Sequence, residues 1–149
     1  MIEKLNIRDF AKCASIWDME RRKDLADRFY RELLSGNRIT FVYVSGHIFV
    51  GEVSLVFDMH DPDYTRPGQR VYLSRLLVKE ECRRRGIGGA LVDFAANAAK
   101  KRGYSEISVG VDLDNHPARR LYAQKGFDRV IYEGVDEQGP YQKLLKNLP

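Results

Sequence analysis

Residues 78–91 read Val78-Lys79-Glu80-Glu81-Cys82-Arg83-Arg84-Arg85-Gly86-Ile87-Gly88-Gly89-Ala90-Leu91, an apolar run followed by a basic, glycine-rich turn and the start of a helix. The glycines at positions 86, 88 and 89 remove the side chains that would keep a ligand away from the backbone. The first N–H groups of a helix have no intrahelical partner, and here they point outward beside three arginines. Because such an N-terminus binds phosphate, the stretch predicts a phosphate-binding turn between a strand and a helix.

Two widespread phosphate-binding motifs do not fit this turn. The third glycine of the dinucleotide-binding fingerprint is missing, and no Gly-Lys-Ser/Thr follows as a P-loop requires. The predicted ligand is therefore neither a Rossmann-bound dinucleotide nor a P-loop nucleotide. Taken alone, the three glycines fit a tight strand-to-helix connection equally well.

The positive charge of the chain is concentrated around this turn. Residues 79–102 carry seven basic and three acidic side chains, a net charge of +4, which equals the formal net charge of all 149 residues. The rest of the chain is neutral overall, unlike a nonspecific nucleic-acid binder that is basic throughout. The distribution favours a local anion site over a nucleic-acid partner.

Hydrophobic periodicity extends the strand-turn-helix unit in both directions. Strands are predicted at residues 2–7, 39–44, 48–57, 71–78, 107–111, 130–135 and 141–145, and helices at 10–17, 24–34, 87–102 and 115–125. The two strands at 39–57 form a hairpin, residues 58–68 form a loop, and the strands at 71–78 and 107–111 are parallel. Phe10, Trp17 and Phe94 are assigned to the core. The order predicts one mixed α/β domain over residues 1–149.

Other sequence features narrow the class of protein. No apolar run approaches the roughly 18 residues of a membrane helix, and the N-terminus lacks a signal-peptide pattern, which favours a cytoplasmic protein without a membrane partner. Cys13 and Cys82 are too few for a disulfide framework. The three histidines show no metal-binding spacing, so no metal is expected.

Two motifs together resemble those of the GNAT (Gcn5-related) N-acetyltransferases. Arg83, Gly86 and Gly88 occupy the defining positions of the signature Arg/Gln-x-x-Gly-x-Gly/Ala. About 30 residues later, the segment Asn115-His116-Pro117-Ala118-Arg119-Arg120-Leu121-Tyr122-Ala123-Gln124-Lys125-Gly126-Phe127 is similar to the family pattern Asn-x-x-Ala-x-x-Leu-Tyr-x-x-x-Gly-Phe. The resemblance is strong over residues 71–127, whereas the remainder of the chain agrees only in the order of elements.

The resemblance implies a fold and an activity. The fold is a mixed, centrally splayed sheet of about seven strands with four helices. The activity is that of an acyltransferase (EC 2.3.1.-) which transfers acetyl directly from acetyl-CoA to a primary amine of a small molecule, a peptide or a protein. Terminal strands in this family also pair across homodimers, so a homodimer is a further expectation.

The resemblance also assigns residues to the cosubstrate. The pyrophosphate of acetyl-CoA is expected on the backbone amides of the turn, and pantetheine along the strand before it, with Asn115 contacting the pantetheine arm. The expected cosubstrate-binding residues are Leu76, Leu77, Val78, Arg83, Arg84, Arg85, Gly86, Ile87, Gly88, Gly89 and Asn115. Tyr122 is expected near the thioester sulfur as the general acid, because a phenol can give a proton to the departing thiolate.

The general base is left open by the sequence. An amine with a pKa near 10.4 is protonated at neutral pH, so a proton acceptor is required. Two branches of the family carry a glutamate at positions that here hold Tyr72 and Gly110. Glu52, Asp112 or a water chain could replace it, although ordinary solvated or hydrogen-bonded roles are the simpler interpretation of both carboxylates.

The sequence also leaves open two other functions and the charge of the acceptor substrate. The missing glutamates favour a noncatalytic acyl-CoA sensor or interaction module, and the basic segment at 79–102 would suit a small nucleic-acid binder. The acidic end of the 58–68 loop favours a cationic acceptor, whereas Arg21-Arg22-Lys23 favours an anionic one.

Overall fold

The structure is a computed structural model that describes all residues from Met1 to Pro149. Its strands are β1 (Ile2–Lys4), β2 (Arg38–Ser45), β3 (Ile48–Val56), β4 (Arg70–Val78), β5 (Glu106–Asp112), β6 (Arg129–Asp136) and β7 (Gly139–Asn147). The α-helices are α1 (Lys23–Ser35), α2 (Ile87–Lys101) and α3 (His116–Gln124). A 3-10 helix covers Ile7–Ser15, and a short 3-10 turn covers Glu80–Cys82.

The seven strands form one mixed sheet in the spatial order β1-β2-β3-β4-β5-β7-β6. Strands β1, β2 and β3 are antiparallel neighbours, and so are β5, β7 and β6. Strand β4 pairs in parallel with β5, where Arg70–Tyr72 lie opposite Glu106–Ser108. The predicted α/β class, the seven strands, the hairpin and the parallel pair are confirmed.

The chain divides into two compact units, each built from two segments. The first unit contains Met1–Val56 and Ser74–Ala95, and the second contains Phe57–Leu73 and Ala96–Pro149. Strand β4 and helix α2 each contribute residues to both units. A single domain over residues 1–149 remains a prediction, as does the homodimer.

In the first unit, the 3-10 helix and α1 cover the β2–β3 hairpin. Leu5, Cys13, Val42 and Phe49 form a buried apolar cluster, to which side chains of that size contribute about 1.5–3 kcal/mol each when fully buried. Helix α1 ends at Gly36, whose φ of 84° is the left-handed conformation that terminates helices. The predicted end of this helix near residue 34 is thus confirmed.

In the second unit, local signals at α3 act as the sequence predicts. The Ala118 N–H donates to Asn115 Oδ1 at 3.3 Å, which caps the helix. Pro117 occupies the first turn, where a missing N–H costs nothing, and Gly126 follows the helix with φ of 87°. Strand β5 buries Ile107, Val109 and Val111 on one face and Ser108 on the other.

Two predictions about the helices are wrong in detail. The first helix is of the 3-10 type and ends at Ser15, so Trp17 lies beyond it, and β1 ends at Lys4. Phe94 is not a core residue, because 40% of its surface is exposed and it packs only edgewise on Phe41 at a centroid distance of 5.1 Å. The buried residues of α2 are Ile87, Leu91, Val92, Ala95, Ala96 and Ala99, and at 100° per residue Val92 and the three alanines lie on a face turned away from Phe94.

Candidate active site

The predicted phosphate-binding turn leaves its backbone amides free. Arg84 and Gly86 have φ angles of 65° and 80°, and a Cβ atom on Gly86 would meet nothing within 4 Å. The first hydrogen bond of α2 runs from the Ala90 N–H to Gly86 O at 3.0 Å. None of the six amides at 84–89 donates a hydrogen bond within the protein. These N–H groups and the helix dipole can therefore receive an anion.

Three exposed arginines, Arg83, Arg84 and Arg85, flank these amides, and the three side chains differ in their contacts within the protein. The Arg83 Nε–H donates to Val78 O at 3.1 Å, which ties the turn to the end of β4. Arg84 and Arg85 form no ion pair, so their charges are available to a ligand. The turn thus offers neutral donors and positive charge at one place, which is what a phosphate or diphosphate requires.

A cluster of unpartnered polar groups lies in the same unit, and we call Trp17, Glu52 and Arg75 the Glu52 cluster. Glu52 is only 4% exposed on β3. Its Oε1, the Trp17 Nε1 and the Arg75 Nε are all buried without a hydrogen-bond partner. The Arg75 guanidinium carbon lies 4.6 Å from the centre of the Trp17 ring, in a cation–π contact. Buried polar atoms are nearly always hydrogen-bonded, so three orphans in one cluster call for a functional explanation.

Burial raises the pKa of the Glu52 carboxyl to about 7. The charges of Arg75 and Arg38 and the Trp17 indole N–H oppose this rise, although the indole forms no hydrogen bond with Oε1. Glu52 is therefore not a solvated side chain, and its Oε1 receives no hydrogen bond. Since β3 is buried from Phe49 to Val56, the carboxyl is desolvated and near half-ionised at neutral pH.

The second unit contains a polar pocket of about 390 Å³ that Asn115 and Tyr122 both line. Their seven-residue spacing predicts a shared face, and that prediction is confirmed. Tyr122 is 7% exposed and packs edgewise on Phe127 at 5.4 Å. Burial and the neighbouring Tyr72 raise the pKa of Tyr122, so the phenol keeps its proton at neutral pH. Its hydroxyl forms no hydrogen bond within the protein and is therefore free to donate to a ligand.

The sequence model that describes the acetyltransferase (GNAT) family matches residues 2–127 of this chain. The chain belongs to the GNAT acetyltransferase family. The resemblance carried by the two motifs is thereby confirmed, and the match extends over the N-terminal third, where the motifs gave no support.

Individual GNAT relatives share parts of the chain. The chloroplastic GCN5-related N-acetyltransferase 7 of Arabidopsis thaliana is 37% identical over 64 residues, which are 43% of this chain and 23% of that protein. N-alpha-acetyltransferase 30 of Schizosaccharomyces pombe is 30% identical over 90 residues, which are 60% of this chain and 57% of that protein. The chain thus spans less than two thirds of the length of either relative.

A solved structure gives the GNAT fold over the whole chain. An aminoglycoside 6'-N-acetyltransferase complexed with coenzyme A superposes with a TM-score of 0.77, covering 100% of this chain and 97% of that chain at 16% identity. The predicted GNAT fold is confirmed. None of the helices combines the length and the hydropathy that a membrane span requires.

Position 110 is one of the two positions at which GNAT branches carry a glutamate. In this chain, a side chain from another segment occupies that space. A Cβ atom on Gly110 would lie 2.6 Å from the Tyr64 Oη, so the Tyr64 hydroxyl occupies the space that a side chain at position 110 would take. The Tyr64 ring packs against Tyr72 at a centroid distance of 4.6 Å, with the two rings tilted by 48°. Sequence reasoning missed Tyr64, and its only signal was a glycine within a strand.

Lys143 is a second residue that sequence reasoning missed. Its Nζ donates to Asp61 and Asp63 at 3.0 Å each and lies 4.8 Å from the centre of the Tyr64 ring. The acidic end of the 58–68 loop is therefore already neutralised in part. Asp112, the other candidate base, lines the pocket, and burial together with Asp136 and Asp114 raises the pKa of its carboxyl.

Proposed function

We propose that this GNAT protein is an acetyl-CoA-dependent N-acetyltransferase that transfers acetyl directly to a primary amine of a small molecule, a peptide or a protein. The observation that carries the proposal is the row of six free amides at 84–89 beside Arg84 and Arg85. The coenzyme A complex of a protein with this fold supports the same ligand here.

The residues of the turn fit the diphosphate of the cosubstrate. The amides of Arg84, Arg85, Gly86, Ile87, Gly88 and Gly89 would donate to its oxygens, and Arg83 would hold the turn in place through Val78. The backbone of Leu76, Leu77 and Val78 would pair with the two amides of pantetheine, as an added strand does. Asn115 uses Oδ1 for its cap, which leaves its side-chain amide to donate to the same arm.

Glu52 is our candidate for the general base. A base works best with a pKa near the working pH, and the Glu52 carboxyl has a pKa of about 7 and an oxygen without a partner. Asp112 is the weaker candidate, because it lies among Asp114 and Asp136 rather than beside a cation that would hold it ionised. Glu52 would accept one proton from the acceptor's ammonium group, directly or through one water.

Bound acetyl-CoA would supply an acetyl group activated as a thioester. The neutral amine nitrogen then forms a bond to the acetyl carbon, and the carbon–sulfur bond breaks with its electron pair on sulfur. Tyr122 gives its hydroxyl proton to that sulfur, and the second amine proton restores the phenol. Glu52 releases its proton to solvent, so the products are an N-acetylated amine, coenzyme A and one proton.

Calorimetric titration with coenzyme A, followed by thiol release across a panel of amines, tests the proposal. Gly86→Leu should weaken coenzyme A binding by about 10- to 100-fold, since a side chain would cover the amides. Gly46→Leu is the matched control, because Gly46 also has a positive φ of 56° and open space around it. Equal affinities of the two variants would refute the phosphate site.

The missing branch glutamates favour one alternative, a noncatalytic acyl-CoA sensor. Tight coenzyme A binding without acetyl transfer to any amine of the panel would support the sensor and contradict catalysis. If nucleic acid bound instead, with an affinity that falls steeply with salt and without competition from coenzyme A, the basic segment would be a nucleic-acid site.

A further inference from the structure

We propose that Arg75 binds a carboxylate of the acceptor, and that the acceptor is a free α-amino acid whose amine faces Glu52. This inference rests on the proposed function and names its substrate class. It is carried by the unpaired guanidinium of Arg75, the charges around it and the unpartnered oxygen of Glu52, all of which lie in the first unit.

The Arg75 guanidinium packs on aromatic rings and forms no ion pair. Its guanidinium carbon lies 4.6 Å from the centre of the Trp17 ring and 5.7 Å from that of Phe29, and its Nε is buried without a partner. It forms no ion pair, although Glu52 is close enough to interact with its charge. A planar guanidinium held against an aromatic face matches the two oxygens of a carboxylate.

The backbone of Arg75 supports a role for its side chain. Its φ of 59° is the left-handed conformation, which a glycine would adopt without strain. A long side chain at such a position persists where the surrounding structure or a ligand uses it, and outliers of this kind cluster at ligand sites. Here the side chain is the unpaired guanidinium.

The surroundings of Arg75 carry excess positive charge. Arg38 is neutralised by Glu32, since its Nε–H donates to Glu32 Oε1 at 2.9 Å, and it also donates to Ser74 Oγ at 3.2 Å. Burial lowers the pKa of Arg75, and Arg22, Arg38 and Arg28 lower it further against the opposing charge of Glu52. A carboxylate placed at Arg75 would relieve this repulsion.

The carboxylates of the 58–68 loop do not contradict an anionic acceptor. Of the three aspartates at its acidic end, Asp61 and Asp63 are both bound by Lys143, and Asp58 Oδ1 lies 3.6 Å from His60 Nδ1. Arg75, in the first unit, forms no ion pair, whereas Asp61 and Asp63, in the second unit, are both paired with Lys143. Two residues of the basic triplet at 21–23 are paired as well, Arg22 with Asp24 and Lys23 with Glu20 at 3.8 Å each, so the inference rests on Arg75 and not on either sequence indication.

An α-amino acid fits the Glu52 cluster because its two charged groups are neighbours, as Glu52 and Arg75 are. The carboxylate would receive hydrogen bonds from the Arg75 guanidinium, and the ammonium group would donate toward Glu52 Oε1. An amine without a carboxylate would leave Arg75 unpaired in a partly desolvated place. The cluster should therefore discriminate an amino acid from its own amide.

Trp17 is the only tryptophan of the chain, so its fluorescence reports directly on ligands that reach Arg75. The full chain, saturated with coenzyme A, would be titrated with glycine, leucine and glutamate, each against its amide, and with 3-methylbutylamine. We expect at least one amino acid to bind about 10-fold or more tightly than its amide, the usual gain from a hydrogen bond to a charged group. Equal binding of every acid and amide would overturn the inference.

Arg75→Gly is the decisive variant, since glycine adopts the φ of 59° and the fold should survive. It should abolish the preference for the acid over the amide while coenzyme A binding persists. Arg31→Gln, which removes an exposed arginine of α1, should keep the preference. An unchanged preference in Arg75→Gly would refute the carboxylate site.

The failure of this inference and that of the proposed function are distinguishable. If amino acids bind with the expected preference but acetyl-CoA yields no thiol release, the carboxylate site stands and catalysis fails. If amines or peptides are acetylated as well as amino acids are, catalysis stands and the amino-acid assignment is overturned.

Discussion

The hydroxyl of Tyr64 lies where the side chain of residue 110 would be, because a Cβ atom on Gly110 would come within 2.6 Å of Tyr64 Oη. A residue of the 58–68 loop thus occupies space that a β5 residue leaves empty. The Tyr64 ring cannot easily move aside, since it packs against the Tyr72 ring and lies 4.8 Å from the Lys143 ammonium group. The packing of the loop against β5 therefore depends on the absence of a side chain at position 110.

Gly110→Ala should destabilise the protein by about 1–3 kcal/mol, the usual cost of overpacking. Tyr64→Phe in the same chain should recover most of the loss, because the nearest ring carbon would then be 3.4 Å from the new Cβ. Denaturant unfolding of the two single variants and the double variant measures the coupling. Additive effects in this cycle would show that the two residues do not compete for space.

Ionisation of Glu52 should make the protein less stable as pH rises. Its pKa is about 7 in the folded protein against an ordinary value of 4.5, so the folded state binds more protons between these values and unfolding becomes easier. The loss should be about 3 kcal/mol across that window. Arg75, Arg38, Trp17 and Cys13 are the groups that face the carboxyl.

Glu52→Gln should remove that pH dependence, whereas Asp24→Asn, at an exposed position on α1, should retain it. Urea unfolding at about pH 4, 6 and 8 would give the three stability profiles, because these pH values bracket the pKa values of the unfolded and folded states. Parallel profiles for wild type and Glu52→Gln would mean that Glu52 is ionised and solvated, contrary to its burial.

The sequence predicted those parts of the fold and site that depend on local signals. Gly36 and Asn115 end and begin helices through their own backbone and side-chain chemistry, and the glycines at 86, 88 and 89 place free amides at the start of α2. Each signal acts within a few residues, so one sequence suffices to find it.

The parts that could not be predicted depend on packing between distant segments. Strand β3 is buried from Phe49 to Val56, so no alternation of polar and apolar residues marks Glu52 as desolvated. Tyr64 and Lys143 reach the pocket of Tyr122 from a loop and from β7, and no spacing in the sequence relates them. The position of the buried face of α2, which leaves Phe94 exposed, likewise depends on the segments that pack against the helix.

If Glu52 is the base, Glu52→Gln should lower kcat/KM by about 10²–10⁴-fold while coenzyme A binding is unchanged. Asp112→Asn should change the rate by no more than about threefold. In the wild type, kcat/KM should rise with pH and level off above about 7, since the base must be ionised. If Asp112→Asn lost activity and Glu52→Gln kept it, Asp112 would be the base. If both variants stayed active, water would be the proton acceptor.

Tyr122→Phe should separate catalysis from binding and from stability. The phenol hydroxyl forms no hydrogen bond within the protein, so its removal should change the free energy of unfolding by less than about 0.5 kcal/mol. Without the proton donor, kcat should fall by about 10²-fold or more, with the KM for acetyl-CoA nearly unchanged. Tyr30→Phe, which removes a hydroxyl from the exposed Tyr30 on α1, is the matched control for thiol-release assays. A Tyr122→Phe enzyme with nearly full kcat would show that the sulfur leaves without help from this phenol.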